Sequence, residues 1–191
     1  MNMKDLLLCY ENIESNDNCL KRKGKVGVMI VAAHTMKQLK NDGTVKLNEP
    51  FTKAIAIYIA NKLDANSLIK EEFKEQLVNS VIENDIKLVI DIHGASIERD
   101  FDVELGTLNN LSSDFSSIRC LEDSFHKNGV MNVNINAPFK GGGITQAIYA
   151  NTDAEAIQIE INAKYRNIDD IDKIKKVCDS IIQYINQYLS Y

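Results

Sequence analysis

The stretch LVIDIHGAS, residues 88–96, decides the fold class and the place of the first functional residues. Its apolar run, broken only by Asp91, is typical of a central strand that is covered on both faces. His93 and Gly94 follow at the carboxyl end of this strand, where open α/β sheets place their ligands. A second histidine, His34, ends another apolar run, VGVMIVAAH (residues 26–34). Because the chain has only three histidines, two of them at strand ends predict half of a metal site.

The composition is ordinary for a globular protein. The chain has 191 residues, of which 45% are hydrophobic and 26% are charged, and we expect one domain spanning residues 1–191. Its formal net charge of −5 argues against a protein that binds nucleic-acid phosphates. No apolar run approaches the length of a transmembrane helix. We therefore expect neither a nucleic-acid nor a membrane partner.

The cysteines indicate a reducing environment. The chain has four cysteines, and they form neither a CxxC pair nor a zinc-ribbon spacing. The apolar segment near the start, LLLC, is too short for the hydrophobic part of a signal peptide. We expect free, mostly buried thiols and a cytoplasmic location.

Hydrophobic periodicity predicts helices and strands that alternate along the chain. Buried strands are predicted over residues 26–33, 87–92 and 156–162, and helices over residues 51–63, 70–83, 116–127 and 169–189. FDVELG (residues 101–106) predicts a half-exposed edge strand, and NVNINAPF (residues 132–139) predicts a strand with one wet face. This order predicts an α/β three-layer sandwich with a mixed, mainly parallel central sheet.

Three segments have weaker patterns. The first 23 residues are polar and uneven, and they favour a short strand or helix followed by a loop. The segment 37–50 predicts a loop with a tight turn at Asp42-Gly43, and Pro50 suits the first position of a helix. KGGG (residues 140–143) predicts a flexible loop.

The third ligand of the predicted metal site stays open at this point. A catalytic zinc site usually has three protein ligands and one water. His34 and His93 supply two of them, and Asp42, Glu49 and Asp91 are the nearby acidic residues. Asp91 and His93 share one face of a regular strand, so Asp91 suits either a direct ligand or an acceptor that orients its neighbourhood.

A third strand adds a carboxylate. AIQIEIN (residues 156–162) places Gln158, Glu160 and Asn162 on one face and isoleucines on the other. A glutamate in such surroundings needs a partner, since an unpaired buried charge is costly. Close to a metal-bound water, Glu160 would serve as a general base; the alternative is a structural salt bridge.

The succession AAH, NEPFTKAIA, DIHG, DVELG, GGGITQ and QIEIN resembles the N-formylglutamate amidohydrolase-like proteins, which are relatives of the zinc carboxypeptidases. The resemblance runs from about residue 26 to residue 166. It implies a zinc carboxypeptidase-like fold of the phosphorylase/hydrolase type, with Zn²⁺ or another divalent metal at His34 and His93 and with Glu160 as the catalytic glutamate. The H-x-x-E pattern of the carboxypeptidase relatives is broken here by Lys37. The acidic ligand must come from elsewhere, and we choose Glu49.

The resemblance also implies an activity, namely hydrolysis of the amide bond of a small N-acyl amino acid such as N-formylglutamate, or of a short peptide. Arg99 and Lys140 are expected to bind an anionic substrate or to stabilise the oxyanion, because a planar guanidinium suits a carboxylate. Gly142 and Thr145 are expected to contact the substrate, and Arg166 is a rival anion binder.

Other functions stay open from the sequence. A metallo-carboxypeptidase or a peptidoglycan-type amidase fits the same residues. A metal-free binding domain that keeps the fold but has lost catalysis is a further alternative, motivated by Lys37 and the short chain. The oligomeric state is also open.

Overall fold

The computed structural model describes residues 1–13, 19–35, 38–39, 45–46, 48–70 and 74–190. Helices and strands alternate along most of the chain. In order they are α1 (Met3–Glu11), β1 (Cys19–Arg22), β2 (Val26–Ala32), β3 (Gln38–Leu39), β4 (Val45–Lys46), α2 (Thr52–Leu63), β5 (Ala65–Lys70), α3 (Lys74–Glu83), β6 (Leu88–Ala95), β7 (Val103–Gly106), α4 (Phe115–Lys127), β8 (Val133–Ile135), α5 (Gly143–Asn151), β9 (Glu155–Asn162) and α6 (Ile171–Tyr188).

A seven-stranded sheet in the order β1-β5-β2-β6-β9-β7-β8 forms the middle of the molecule. The four inner strands β5, β2, β6 and β9 run parallel. At one side β1 is antiparallel to β5, and at the other β7 is antiparallel to β9 and parallel to β8. The strands β3 and β4 pair separately in a small antiparallel sheet. The predicted mixed, mainly parallel sheet is therefore confirmed.

Helices cover both faces of the sheet because neighbouring residues of a strand point to opposite faces. Val28 and Ile30 of β2 belong to the larger apolar cluster, which includes residues of α1, α2, α4 and α6. Met29 and Val31 of the same strand belong to a smaller cluster with residues of α3 and α5. The predicted three-layer sandwich is confirmed, and its core has two unequal halves.

Most predicted elements are confirmed to within a few residues at their ends, namely β2, β6, β9, α2, α4 and α6. The prediction of a helix from Lys70 is wrong at its start, since Lys70 ends β5 and α3 begins at Lys74. The sequence analysis missed β5 because Asn66 and Ser67 interrupt its apolar pattern. Both are buried, and Asn66 Nδ2 donates to Val26 O at 3.0 Å, so this polar strand residue is satisfied by the backbone of a neighbouring strand.

Two further corrections concern the region of the site. The strand β7 is not a half-exposed edge: its four residues are buried, and it lies between β9 and β8. The loop predicted at KGGG (residues 140–143) ends at Gly142, because Gly143 already begins α5, whose glycine-rich start conceals the helical pattern. His93 and Gly94 lie inside β6, since the strand continues to Ala95. Lys37 and the turn expected at Asp42-Gly43 lie outside the described residues.

Two further findings concern the length of the helices and the state of the cysteines. Within the described part of the chain, no helix has both the length and the apolar character needed to cross a bilayer. Cys9, Cys120 and Cys178 are free thiols that are exposed, half-buried and buried respectively.

Candidate metal and active site

The sheet face that α3 and α5 cover changes character along the parallel strands. At the start of β6 and β9 it carries Val89 and Ala156, which belong to the smaller apolar cluster. Toward the carboxyl ends the same face carries four buried polar residues that pair across the two strands: Asp91 with Gln158, and His93 with Glu160. Chemistry-bearing side chains therefore gather where a parallel sheet places its ligands.

A third strand extends this polar row. Glu160 of β9 pairs not only with His93 but also, on its other side, with Glu104 of β7. Glu104 is fully buried, and burial raises the pKa of its carboxyl group. Its Oε1 accepts a hydrogen bond from Phe139 N at 2.5 Å. The sequence analysis did not place Glu104 beside the candidate base, because the pairing partner of β7 is not visible in its pattern.

His93 is oriented by its neighbour on the same strand. Its Nε2 lies 3.0 Å from Asp91 Oδ2, so the ring is held by the carboxylate through this nitrogen. Its Nδ1 lies 3.7 Å from Glu49 Oε2 and 4.0 Å from Glu160 Oε1. Burial disfavours the protonated ring, but the carboxylates of Asp91, Glu49 and Glu160 outweigh burial and raise the pKa of His93 well above its usual value.

Glu49 reaches the site from the turn that precedes α2. Its backbone N–H donates to His34 O at 2.9 Å, and its Oε2 accepts from Gly94 N at 2.8 Å. Burial acts to raise the pKa of Glu49, but His93, His34 and the Gly94 amide outweigh burial, and the pKa is lowered. Glu49 is therefore held as a carboxylate between the ends of β2 and β6.

The three residues predicted as ligands, His34, Glu49 and His93, meet in one cluster. Each offers one ligand atom, and these atoms lie within 4.8 Å of one another. The ligand atoms of a tetrahedral zinc ion are about 3.3 Å apart when each lies about 2.0 Å from the metal, and the 3.7 Å between His93 Nδ1 and Glu49 Oε2 approaches that spacing. Two histidines and one carboxylate are also a donor set of catalytic zinc. The residues present fit a Zn²⁺ ion, and their role as ligands stays a prediction.

Glu160 lies beside this cluster rather than within it. The side chain is buried, and its Oε1 accepts from Gln158 Nε2 at 2.6 Å. Burial raises the pKa of Glu160; His93 opposes this rise, and Glu49 adds to it. A buried carboxylate next to a group of candidate metal ligands has the location that a general base requires.

Arg166 lies beneath the cluster and bonds to backbone. Its Nε donates to Ile161 O at 2.9 Å and its Nη2 to Ala95 O at 3.0 Å. Its Nη1 donates to Pro50 O, next to Glu49. Arg166, which was predicted to bind an anion, thus donates three hydrogen bonds to carbonyls at the ends of β9 and β6 and in the turn before α2.

Arg99 lies at the surface. Its guanidinium carbon stacks over the Phe139 ring, 5.0 Å from the centroid, an arrangement that favours a cation. Asp102, at the end of the segment that follows Arg99, pairs with Lys164 at 2.6 Å and accepts from Tyr165 OH at 3.2 Å. Arg99 is therefore an exposed guanidinium placed on the segment that leads to the glycine loop.

The predicted substrate-contact residues Lys140, Gly142 and Thr145 lie in and after the glycine loop. A Cβ on Gly142 would approach Gln158 Oε1 to 2.9 Å, so the loop lies directly over β9 next to Glu160. Gly142 caps α5, Thr145 is fully buried in its first turn, and Lys140 is exposed. Gly142 therefore lies at the edge of the site, whereas Lys140 lies on the surface of the protein.

Two residues near the site were missed entirely. Lys74 at the start of α3 places its Nζ 2.5 Å from where a Cβ on Gly143 would lie, which adds a cation to the glycine loop. Glu11 of α1 contacts the start of α2 directly after Glu49. Neither has a local sequence signal, because each contact joins segments far apart in the chain.

The α/β sandwich with its mixed, mostly parallel sheet has the fold of the zinc carboxypeptidase-like amidases and hydrolases. Residues 71–165 match the family described as N-formylglutamate amidohydrolase. The resemblance expected from the sequence is thus found over residues 71–165, just under half of the 191 residues, and it supports an enzyme that acts on amide bonds. The match includes His93 and Glu160, whereas His34 and Glu49 precede it.

Solved structures share the fold at low sequence identity. A bacteriophage poly-gamma-glutamate hydrolase has a TM-score of 0.64 and 8% identity, with 91% of this chain and 89% of that chain covered. The catalytic domain of an N-acetylmuramoyl-L-alanine amidase from Bacillus (Paenibacillus) polymyxa var. colistinus has a TM-score of 0.57 and 16% identity, with 85% and 98% covered. The N-formylglutamate amidohydrolase from Ralstonia eutropha JMP134 has a TM-score of 0.50 and 15% identity, with 61% and 49% covered. No curated protein sequence matches this chain significantly.

Proposed function

We propose that this protein is a metal-dependent amidohydrolase that cleaves the amide bond of a small N-acyl amino acid such as N-formylglutamate. One observation carries the proposal: Glu160 lies beside a cluster of two histidines and one carboxylate, with Oε1 4.0 Å from His93 Nδ1. A general base next to such a donor set is what hydrolysis by an activated water requires. The family match over residues 71–165 supports the same reaction class.

A Zn²⁺ ion held by His34, Glu49 and His93 would supply a bound water of lowered pKa and would polarise the scissile carbonyl. Glu160 takes a proton from the attacking water on its carboxylate and returns it to the leaving amine nitrogen. Because burial raises the pKa of Glu160, its carboxylate is a stronger base than an exposed glutamate. Asp91 holds Nε2 of His93 and thereby leaves Nδ1 facing the cluster.

The substrate that suits the rim is anionic. Arg99, which stacks over the Phe139 ring, and Lys140, which follows Phe139 in the sequence, are both exposed cations, and we assign them to a carboxylate of the substrate. Gly142 is assigned to substrate contact at the start of α5, where the first N–H groups lack helical partners and favour negative charge. Thr145 is fully buried in the same turn, so we assign it to the packing of the helix start. We assign Arg166 to the backbone around the site, since it donates to three carbonyls. We propose that the protein acts on such a small molecule in the cytoplasm, the location expected from its unpaired cysteines.

A peptidoglycan-type amidase is the second candidate, and the fold comparison supports it. The N-acetylmuramoyl-L-alanine amidase domain has a TM-score of 0.57 with this chain, against 0.50 for the N-formylglutamate amidohydrolase from Ralstonia eutropha. The bond cleaved is an amide in both, so the residues Glu160 and His93 keep the same roles. The two candidates differ in the size of the acyl group that the site accepts.

The experiment that tests the proposal measures metal and activity together. The purified protein is loaded with zinc, and release of primary amine is followed with N-formyl and N-acetyl amino acids, short peptides and a muramoyl peptide. We expect about one equivalent of bound metal, and activity on N-formylglutamate that a chelator removes. Glu160→Gln should bind zinc as tightly as the wild type but lose about 10²- to 10⁴-fold in kcat/KM, the usual contribution of a general base.

Glu83→Gln is the matched control, since Glu83 is an exposed glutamate of α3. It should leave both metal content and activity unchanged. Activity that survives in Glu160→Gln would reject Glu160 as the base. Less than about half an equivalent of any transition metal after loading would reject the metal-dependent reaction and favour a binding domain. Activity confined to the muramoyl peptide would select the second candidate.

A further inference from the structure

The N-terminal helix α1 contacts the segment that carries Glu49. Glu11, the last residue of α1, accepts from Phe51 N at 2.9 Å through Oε1 and from Ala54 N at 3.3 Å through Oε2. These amides belong to the start of α2, where the first N–H groups lack helical partners. Phe51 is the N-cap residue of α2, and its side chain makes no capping hydrogen bond. A carboxylate from another helix therefore caps α2 directly after Glu49 and Pro50.

The backbone at this point has an unusual conformation. Phe51 has a φ of 65°, in the left-handed region, whereas an N-cap residue normally lies in the β region. A bulky residue keeps such a conformation only when its surroundings hold it. Here Glu11 holds Phe51 N, Arg166 Nη1 holds Pro50 O, and Thr52 Oγ1 donates to Glu49 O at 2.7 Å. The turn is thus held on several sides.

Charge links the same residues. Burial lowers the pKa of Arg166, while the carboxylates of Glu49, Glu160 and Glu11 oppose that change. Glu11 therefore acts on the cation that lies beneath the cluster, in addition to its two hydrogen bonds to the turn. Removal of its charge would alter both the turn and the field around Arg166.

We propose that Glu11 is a positioning residue that sets the turn of Glu49, so that the N-terminal helix is part of the metal site. This inference rests on the proposed function, in which Glu49 is a metal ligand. It concerns a segment that precedes both the family match at residues 71–165 and the sequence resemblance. If Glu11 has this role, the metal affinity depends on a residue that does not contact the metal.

The test compares zinc affinity in Glu11→Gln and the wild type by competition with a chromophoric chelator. Glutamine keeps one acceptor oxygen but presents an NH₂ group to the second amide and carries no charge. We expect zinc binding about tenfold weaker, the lower end of the loss for residues that orient ligands. The visible absorption spectrum of the Co²⁺-substituted protein should also change, because it reports ligand geometry independently of catalysis.

Asp5→Asn is the matched control. Asp5 is an exposed carboxylate in the first turn of the same helix, so its replacement removes one negative charge from α1 without removing a bond to the turn. It should leave the zinc dissociation constant within about twofold of the wild type, as for other exposed substitutions. An unchanged zinc affinity and Co²⁺ spectrum in Glu11→Gln would overturn the inference, as would an equal loss in Asp5→Asn. A wild-type protein that binds no metal would instead reject the proposed function.

Discussion

Replacement of Gly94 by alanine tests the packing beneath the candidate site most directly. Gly94 follows His93 in β6, and the guanidinium of Arg166 packs against it. A Cβ at Gly94 would lie 2.5 Å from Cζ and 2.6 Å from Nη2 of Arg166. Arg166 is buried, and it donates to Ile161 O and Ala95 O. The guanidinium therefore cannot swing away as the end of an exposed side chain would.

The expected loss has two parts. Overpacking of a well-packed interior costs about 1–3 kcal/mol, and one buried carbonyl left without its donor costs about 1–3 kcal/mol more. Gly94→Ala should thus lower the free energy of unfolding by about 2–6 kcal/mol, a large share of the roughly 5–15 kcal/mol of a typical domain. Gly27→Ala on β2 is the control, because its Cβ would meet Asp85 O at 3.4 Å, an ordinary contact. That change should cost less than about 0.5 kcal/mol.

Urea unfolding of the metal-free protein, followed by circular dichroism, measures both variants. The clash is isolated by a double-mutant cycle with Arg166→Met, which replaces the planar guanidinium with a slimmer, flexible side chain. In that background Gly94→Ala should cost much less than it does beside Arg166. The reasoning is refuted if Gly94→Ala is as stable as Gly27→Ala, or if its cost is the same with methionine at position 166.

Three further outcomes are expected. Asp91→Asn removes the carboxylate that lies 3.0 Å from His93 Nε2 and should weaken zinc binding by about 10- to 100-fold in a competition titration; an unchanged affinity would show that Asp91 does not orient the ring. Burial acts to raise the pKa of Asp102, but Lys164 and the other hydrogen-bond partners outweigh burial, and the pKa is lowered. The ionised carboxylate therefore stabilises the folded protein above the ordinary pKa of about 4. This stabilisation is lost as the pH falls through the lower pKa of the folded state. Asp102→Asn should therefore be less stable than the wild type at pH 7 but not in strong acid, and urea curves that differ equally at both would contradict this. Ile90→Ala in the core of the sheet should cost about 2–5 kcal/mol by urea unfolding, and a near-neutral result would contradict the packing.

The elements that the sequence predicts well are those whose pattern is local. Strands β2, β6 and β9 are apolar runs whose alternation assigns each residue to a face, so Asp91 and His93 are expected together and are found 3.0 Å apart. Where polar residues lie inside a strand, as Asn66 does in β5, the local pattern fails, because a backbone partner on another strand satisfies the side chain. Likewise α5 begins with glycines, whose low helix propensity conceals the helix that packing stabilises.

The amino-acid sequence alone placed two histidines near the carboxyl ends of buried strands, and both lie within two residues of those ends. It also placed a glutamate on one face of a third strand, because hydrophobic periodicity is a property of neighbouring residues. Only the tertiary structure decided which distant groups meet them. Glu49 reaches Gly94 N across 45 residues, and Arg166 reaches Pro50 O across 116. Glu104 joins Glu160 through an antiparallel pairing, and Glu11 caps a helix 40 residues away. A buried polar group needs a partner, but the sequence near it does not say which segment supplies that partner; the packing of the whole chain does.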